Sequence, residues 1–373
     1  MIEKLIRSAI ALTPVPPTAA REYREKLDVL REQVDQNLTV YPGIDELIGG
    51  NPLAMMYDNH RNHALFMANV FRFNTFEVLA RIAVWVYKSY HAHGFSYDYF
   101  PVELTAWMKA VADHLGVAAA PDINRIYRWL LERHEELIAL SQEEVGLTLS
   151  LDPAWDQDRE RFLAALLHGD HRECLRLAEK TATTPRALED FYLQVIQPCM
   201  YRVGDLWQEG EISVAQEHLA SAVVARIMAA VYPRLEPVIP RKGKAVVTAA
   251  PNEHHEMGAR IVADCLGMAG WEISYLGANT PPADLVKFLT RAKPFLVAIS
   301  VAMPFNLDQA AEIIAAIKHH PELTEVRILV GGRFFQEFPD LWHVTAADGW
   351  APDARAAVLL AQQWWEKRSP GEG

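Results

Sequence analysis

The chain has 373 residues, half of them hydrophobic, which is enough for two or three domains with substantial cores. Its formal net charge of -12 argues against direct nucleic-acid binding, which calls for a basic face. No run of 18 or more apolar residues suggests a membrane span, the first residues lack the apolar core of a signal peptide, and three widely spaced cysteines (Cys174, Cys199, Cys265) suggest a reducing, cytoplasmic setting.

Strand-like patterns are absent before about residue 240, so an all-α N-terminal domain is expected over 1–148. Helices are expected at 3–12, stopped by Pro14, Pro16 and Pro17, and at 18–38 with Thr18 as cap. Further helices are expected from 53 to about 91 with one or two breaks, at 102–115, and at 121–140 with Pro121 in the first turn. This stretch holds eight of the twelve tyrosines, and Arg61, Arg72 and Arg81 lie among its aromatics. Aromatic stripes at helical spacing usually build a core, so an aromatic core with capping histidines is one reading. The other is a pocket for a flat conjugated ligand, a bilin or a haem. Its polar edge would bond His60, His63, His91, His93 and Tyr99, and Arg72 would pair with propionates. No cysteine lies here, which excludes a thioether-linked bilin in this stretch.

Residues 149–238 read as a four-helix bundle: 156–168, 171–182, a helix from the Thr184-Pro185 start to about Trp207, and one from Ser213 to near Val231. Ser213 with Gln216 three residues on is a capping-box pattern.

Residues 239–373 alternate strand and helix. Strands are expected at 244–249, 272–276, 295–300, 326–330 and near 343–346, with helices at 257–269, 282–293, 307–319, 333–338 and 353–367. Such alternation implies an α/β Rossmann-like (flavodoxin-like) parallel sheet that binds ligand at the carboxyl ends of its strands. The tail 369–373 is expected to be disordered. His254 and His255 fall in the loop after the first strand. Neutral imidazole is a common metal ligand whose tautomer a nearby carboxylate can fix. Taken alone, the same loop also reads as polar with two solvated histidines.

The spacing Glu253-x-His255-x-x-Gly258 resembles the cobalamin-binding fingerprint, and Ser300 and Gly331-Gly332 stand at later strand ends as in that family. The resemblance implies that His255 is the lower axial ligand of the cobalt, with Glu253 and Glu256 beside it. Gly258, Ser300, Gly331 and Gly332 would leave room for the nucleotide tail. Most of the family has Asp where this chain has Glu253. His254 is a bystander in this reading.

The stretch 203–218 resembles the helical cap that precedes many cobalamin domains. Within it, Trp207 followed by Glu217-His218 is similar to the motif of CarH-like light-sensing adenosylcobalamin domains. That implies Trp207 over the upper cobalt face, Glu217 bonding the adenosyl group, His218 steering the photochemistry, and Val214 lining the pocket. Some members carry a His after the Trp. Here it is Gln208, so a bis-histidine light product is not expected from that position. A helical aromatic module joined to such a core resembles the photocobilins, which pair cobalamin with biliverdin.

The expected function is a light sensor and not an enzyme, since no nucleophile-and-base motif or phosphate loop is present. It would signal by light-triggered Co–C cleavage and a change of homo-oligomeric state, toward a protein partner, with no direct nucleic-acid or membrane role. The alternatives are a corrinoid methyl-carrier protein of a methyltransferase system and a regulator that senses the vitamin without light.

Overall fold

The computed structural model describes residues 1–143, 151–235 and 238–368. The chain divides into two compact units, Met1–Leu147 with Gln208–Glu211, and Thr148–Trp207 with Ile212–Gly373. The tail 369–373 lies outside the described residues.

The first unit is helical throughout its described residues. Helix α1 (Ile2–Ile10) ends before the prolines, and α2 (Pro17–Glu25) starts with Pro17 at its first position. The expected Thr18 cap is not used, because Pro17 already opens the helix and leaves Thr18 inside it. The single helix expected over 18–38 is two, α2 and α3 (Leu27–Thr39), parted where Lys26 leaves helical geometry at φ -102° and ψ 10°. Left-handed Gly43 leads into α4 (Ile44–Leu47). Helices α5 (Leu53–Phe73) and α6 (Phe76–Ala92) meet at left-handed Asn74, whose side-chain oxygen accepts the Val15 N–H at 2.7 Å. Helix α7 (Tyr99–His114) begins earlier than expected, drawn in by the burial of Tyr99 and Phe100. The helix expected over 121–140 is also two, α8 (Ala120–Leu131) and α9 (His134–Ser141), divided at Arg133, whose guanidinium lies 4.5 Å from the Trp129 ring centre.

In the second unit, α10 (Asp156–Leu167) and α11 (His171–Thr181) flank a tight turn in which Asp170 caps two backbone N–H groups. Thr184 caps α12 (Pro185–Phe191) by accepting from Ala187 N. The run to Gln208 is interrupted by a π-type turn, Tyr192–Ile196, before α13 (Gln197–Gln208). Pro198 explains the interruption: it has no N–H to offer the carbonyl four residues back and its ring crowds that carbonyl. The capping box at Ser213 forms as expected and opens α14 (Val214–Val231). By length and composition α14 and its extension to Arg234 could cross a membrane, but it lays Ala220, Val224, Ile227 and Met228 into the bundle core.

The chain then alternates β1 (Lys244–Ala249), α15 (Met257–Met268), β2 (Glu272–Gly277), α16 (Pro282–Ala292), β3 (Leu296–Ser300), α17 (Leu307–His319), β4 (Arg327–Gly331), α18 (Arg333–Glu337), β5 (Gly349–Trp350) and α19 (Ala354–Lys367). The sheet is parallel in every pairing, in the order β2-β1-β3-β4-β5, the flavodoxin-like arrangement. The strand expected near 343–346 is a correction: those residues belong to a 3-10 turn, Pro339–Thr345, and to left-handed Ala346. The last strand forms at Gly349, where a Cβ would stand 2.9 Å from the Trp364 ring of α19, so only glycine lets the helix pack this close.

Bundle and sheet form one unit because α12 and the π-type turn are bonded to the sheet's helices. Arg355 of α19 pairs with Glu189 and Asp190, and the Tyr192 hydroxyl donates to Asp264 of α15 at 2.8 Å. Burial raises the Asp264 carboxyl from 3.8 to about 6, against the Tyr192 hydrogen bond and Arg260, which lower it. A carboxyl whose folded pKa is raised contributes its full stability below the unfolded value and loses it as the pH rises through the folded one. Stability should therefore fall between about pH 4 and pH 6 on this account. Asp264→Asn keeps an acceptor for Tyr192 and removes the charge. We expect it to stabilise the unit by about 1–3 kcal/mol at pH 7 and by much less at pH 4, measured by urea unfolding at both pH values.

Candidate cofactor site

The site is built on the loop between β1 and α15. The chain leaves β1 through Ala250 and turns at left-handed Asn252. Glu253 then points inward, fully buried. One carboxylate oxygen accepts from His255 N at 3.0 Å and from His255 Nδ1 at 2.6 Å. The other accepts from Ala302 N at 3.0 Å, Met303 N at 2.9 Å and Asn306 Nδ2 at 2.9 Å. One side chain thus clamps the loop after β1 to the loop after β3. The loop after β2 joins them: Asn279 N donates to the Glu253 carbonyl at 3.1 Å, and Asn279 Oδ1 accepts from Asn252 N at 3.0 Å. Asn252 Nδ2 completes the ring by donating to Asn306 Oδ1 at 3.0 Å.

This setting fixes the electrostatics. Burial by itself would raise the Glu253 carboxyl, but the hydrogen bond and charge of His255, with Asn306 and Met303 N–H, outweigh it and pull the value down to about 2. Glu253 therefore stays a carboxylate. For His255, partial desolvation opposes protonation. Glu253, and then Glu217 of α14, more than compensate and raise its pKa, with Arg333 acting the other way. The His255 side chain is 62 % exposed, and its Nδ1 is committed to Glu253, which leaves Nε2 as the atom available to a ligand.

Small residues surround this atom's side of the sheet. Ser300 ends β3 in register with Ala249 on one side and Gly331 on the other. A Cβ on Gly258 would stand 3.7 Å from Ser300 Oγ, so α15 starts close to the β3 terminus. Gly332 has φ +105°, and a Cβ there would lie 2.3 Å from the Val301 carbonyl oxygen, which requires glycine. Glu256 sits at the start of α15, exposed, with its carbonyl accepting from Tyr275 OH at 3.2 Å. His254 is exposed beside it.

The bundle brings its own groups to the same edge. Trp207, in the last turn of α13, is half-buried against the bundle core. Two residues earlier, Asp205 Oδ1 accepts from Arg333 Nη2 at 3.4 Å. Glu217, in the first turn of α14, accepts from Ser221 Oγ at 2.8 Å and acts electrostatically on His255. His218 Nε2 lies 3.6 Å from Glu217, with its ring exposed, and Val214 is exposed in the turn before. Glu253, His255, Gly258, Ser300, Gly331, Gly332 and Glu217 are thus assembled at the strand ends.

Of the residues expected around a second ligand, His60 and Tyr99 are bonded to each other, and His60 and His63 both pack against the Trp107 ring. His60 is fully buried with both ring nitrogens bonded, Nδ1 to Asp35 at 2.6 Å and Nε2 to Tyr99 OH at 2.8 Å. His63 packs beside the mutually stacked Trp107 and Tyr127 rings and lies 4.0 Å from buried Glu103. Burial holds its imidazole below the usual value against the pull of Glu103, and its Nε2 has no hydrogen-bond partner among the described residues. By contrast Arg72 and His91 are exposed and His93 is half-buried, its Nδ1 bonded to Ser89 O. Arg72 lies in the last turn of α5, His91 in the last turn of α6 and His93 just beyond it, and the His91 ring stacks on Tyr97.

Sequence reasoning missed Asn306, Asn252, Asn279 and Arg333. An Asn in the Pro-led turn after a strand is a weak signal, and nothing in the sequence says that three such turns meet at one carboxylate.

A family model described as a B12 binding domain matches residues 243–359, and a second of the same description matches 158–232. The HTH-type transcriptional repressor CarA of Myxococcus xanthus is 31% identical over 226 residues, 57% of this chain and 75% of the relative. The HTH-type transcriptional repressor CarH of the same organism is 30% identical over 182 residues, 48% of this chain and 60% of the relative. A corrinoid protein of Desulfitobacterium hafniense is 24% identical over 208 residues, 53% of this chain and 93% of the relative.

The donor set fits a corrinoid. A corrin ring carries its own four in-plane nitrogens, so the protein needs to add one axial donor. His255 Nε2 is such a donor, and among the described residues no cluster of three or more His, Cys, Asp or Glu competes as a metal site. Glu253→Gln would put an amide where backbone N–H groups and the His255 Nδ1 proton need an acceptor. We expect cobalamin affinity to fall about 10- to 100-fold by spectrophotometric titration and stability to drop by about 1–3 kcal/mol in urea. His255→Ala should lose affinity and, by taking a donor from buried Glu253, also lower stability by about 1–3 kcal/mol, read in the same urea experiment.

Proposed function

Because the chain belongs to the CarH-like family of cobalamin-binding proteins, we propose that it is a light-responsive adenosylcobalamin receptor that signals by changing its self-association. The observation that carries the proposal is the cap edge: Trp207 stands in the last turn of α13 beside the Asp205–Arg333 bond, and Glu217 opens α14 within electrostatic reach of His255. Bound adenosylcobalamin supplies a cobalt–carbon bond that light breaks. The protein's part is to hold and to shield. His255 offers Nε2 to the lower face, with its ring fixed by Glu253. Trp207 offers a flat apolar face that keeps water from the upper side. Glu217 offers a carboxylate to ribose hydroxyls or an adenine amine, and His218 and Val214 border it. The three free cysteines are buried, in keeping with a reducing cytoplasm. The proposal includes a homo-oligomer, a downstream protein partner and no catalysis of its own.

A second chromophore, biliverdin, belongs to the same proposal for the first unit. What supports it is the unpartnered Nε2 of His63 beside the Trp107 and Tyr127 rings. The second reading, a corrinoid methyl carrier, is favoured by the corrinoid relative that the chain covers almost whole.

Purified protein is loaded in the dark with adenosylcobalamin and biliverdin, then followed by absorption spectroscopy and gel filtration under green light. The expected result is conversion of the cobalamin bands together with a change in molecular size. Light sensitivity no greater than that of free adenosylcobalamin, at constant size, would overturn the receptor and favour the methyl carrier. A red band that stays with the protein through gel filtration supports the bilin, and its loss removes that element. Glu217→Gln should weaken adenosylcobalamin binding about three- to tenfold more than methylcobalamin binding, by parallel titrations.

A further inference from the structure

We propose that the amino edge of the sheet, opposite the cofactor edge, is a docking surface for an acidic segment of a partner protein, with basic side chains taking its carboxylates above an aromatic floor. It gives a surface to the protein partner of the proposed receptor and rests on that reading for its part in signalling. The binding itself does not depend on light.

Parallel strands enter a sheet side by side, so the residues that precede them are gathered along one edge. Here cations precede them. Arg241 and Lys242 lead into β1, and their backbone N–H groups both donate to Gly270 O at 3.1 Å. Lys244 opens β1 and Arg327 opens β4. The start of β3 lies between: Phe295 N donates to Lys244 O, and Phe295 O accepts from Arg327 N, both at 2.9 Å. Two residues before Phe295, Lys293 caps the C-terminus of α16 at φ +48°, a left-handed position that favours glycine. Lys367 and Arg368 join the group from the end of α19.

The floor is aromatic. The Trp365 ring packs on Phe295 and Trp271 at 5.1 and 5.5 Å between centres, and Gly243 leaves room for it, since a Cβ there would stand 2.6 Å from the ring. Arg368 lies 3.3 Å from the Trp365 ring centre, and Lys242 lies 6.0 Å from that of Trp271. Trp271 is buried, and its Nε1 has no hydrogen-bond partner among the described residues. Ile239, just ahead of Arg241, is 72 % exposed and offers an apolar contact at the rim.

The charge of this edge is open. Elsewhere, exposed Arg81 pairs with Glu77 and exposed Arg161 with Glu173. Arg241, Lys244, Lys293 and Arg327 are exposed and form no ion pair among the described residues, although Glu272 stands in register beside Lys244 and Glu325 two residues before Arg327. Glu366 of α19 is taken by Gln362 Nε2 at 2.8 Å. In a chain of net charge -12 the edge is a local reversal of sign. Neighbouring strands lie about 4.8 Å apart, so β1 and β4 are separated by about 10 Å, a span that about three or four residues of extended chain cover. Charges beyond a screening length of about 8 Å count little in physiological salt, which suits a short acidic segment. A long polyanion such as nucleic acid would instead run on from the edge over a surface of its own sign.

The full chain, loaded with hydroxocobalamin in the dark, is titrated into a fluorescein-labelled peptide of glutamates about a central leucine and followed by fluorescence anisotropy. Binding is expected in about 50 mM salt, with affinity falling about tenfold or more by about 200 mM. Lys244→Glu combined with Arg327→Glu should weaken it by about tenfold or more. Arg172→Glu combined with Lys180→Glu makes the same change of net charge on the bundle and should leave affinity within about twofold. If the strand-end pair does not fold, Arg241→Ala, outside the sheet, decides the matter with an expected loss of about two- to fivefold. No peptide binding at low salt, equal losses in edge and bundle variants, or tighter binding of a single-stranded oligonucleotide of equal charge overturns the docking surface. Peptide binding intact in a protein that does not respond to light overturns the receptor reading alone.

Discussion

The buried carboxylate of Glu253 is the constraint on which the site depends. It has no water to solvate it, so every lone-pair direction must meet a donor, and the donors come from three separate loops. A strand-end loop is ordinarily the most mobile part of a parallel sheet. Here the cost of an unsatisfied charge ties the loops after β1 and β3 to each other, and Asn279 brings in the loop after β2. The imidazole of His255 is one of those donors. Its orientation is therefore set by the same electrostatics that stabilise the loop, and its second nitrogen faces outward as a consequence.

The reach of a glutamate matters at this position. One carboxylate oxygen serves the backbone and ring of His255, two residues away, while the other serves the start of the β3 loop, nearly fifty residues away. The extra methylene lets a single side chain span the gap between neighbouring strand ends. Around it, Gly258, Ser300, Gly331 and Gly332 contribute by what they lack: side-chain volume where the backbones come close.

The first unit uses polar groups differently. Asp35, His60 and Tyr99 form a closed chain of hydrogen bonds, and Tyr23 and Tyr127 share another at 2.8 Å. Such networks specify a core when complete. His63 is the member left open, beside Glu103 and the Trp107 and Tyr127 rings. The bundle, by contrast, has an apolar interior, with its polar bonds at its caps and at its seam with the sheet.

Much of the α/β region was legible in the chain because its signals are local. Short β-branched runs, proline and glycine punctuation and the Ser213–Gln216 capping box each act within a few residues, and β1, α17 and α14 fall where those signals put them. The Glu253-x-His255-x-x-Gly258 spacing is local too, so the axial donor and its partner could be named from sequence. What only the tertiary structure decided is everything set by distant chain meeting at short range. Burial of Tyr99 pulls α7 forward, and the Trp364 ring selects Gly349 as the last strand in place of residues 343–346. Asn306 and Arg333 gain their roles only because β3 and β4 end beside β1 and beneath the bundle. The bond between His60 of α5 and Tyr99 of α7 likewise depends on packing, which a composition rich in aromatics leaves undetermined. Helical and strand periods are written in the order of residues; which faces meet is settled by packing.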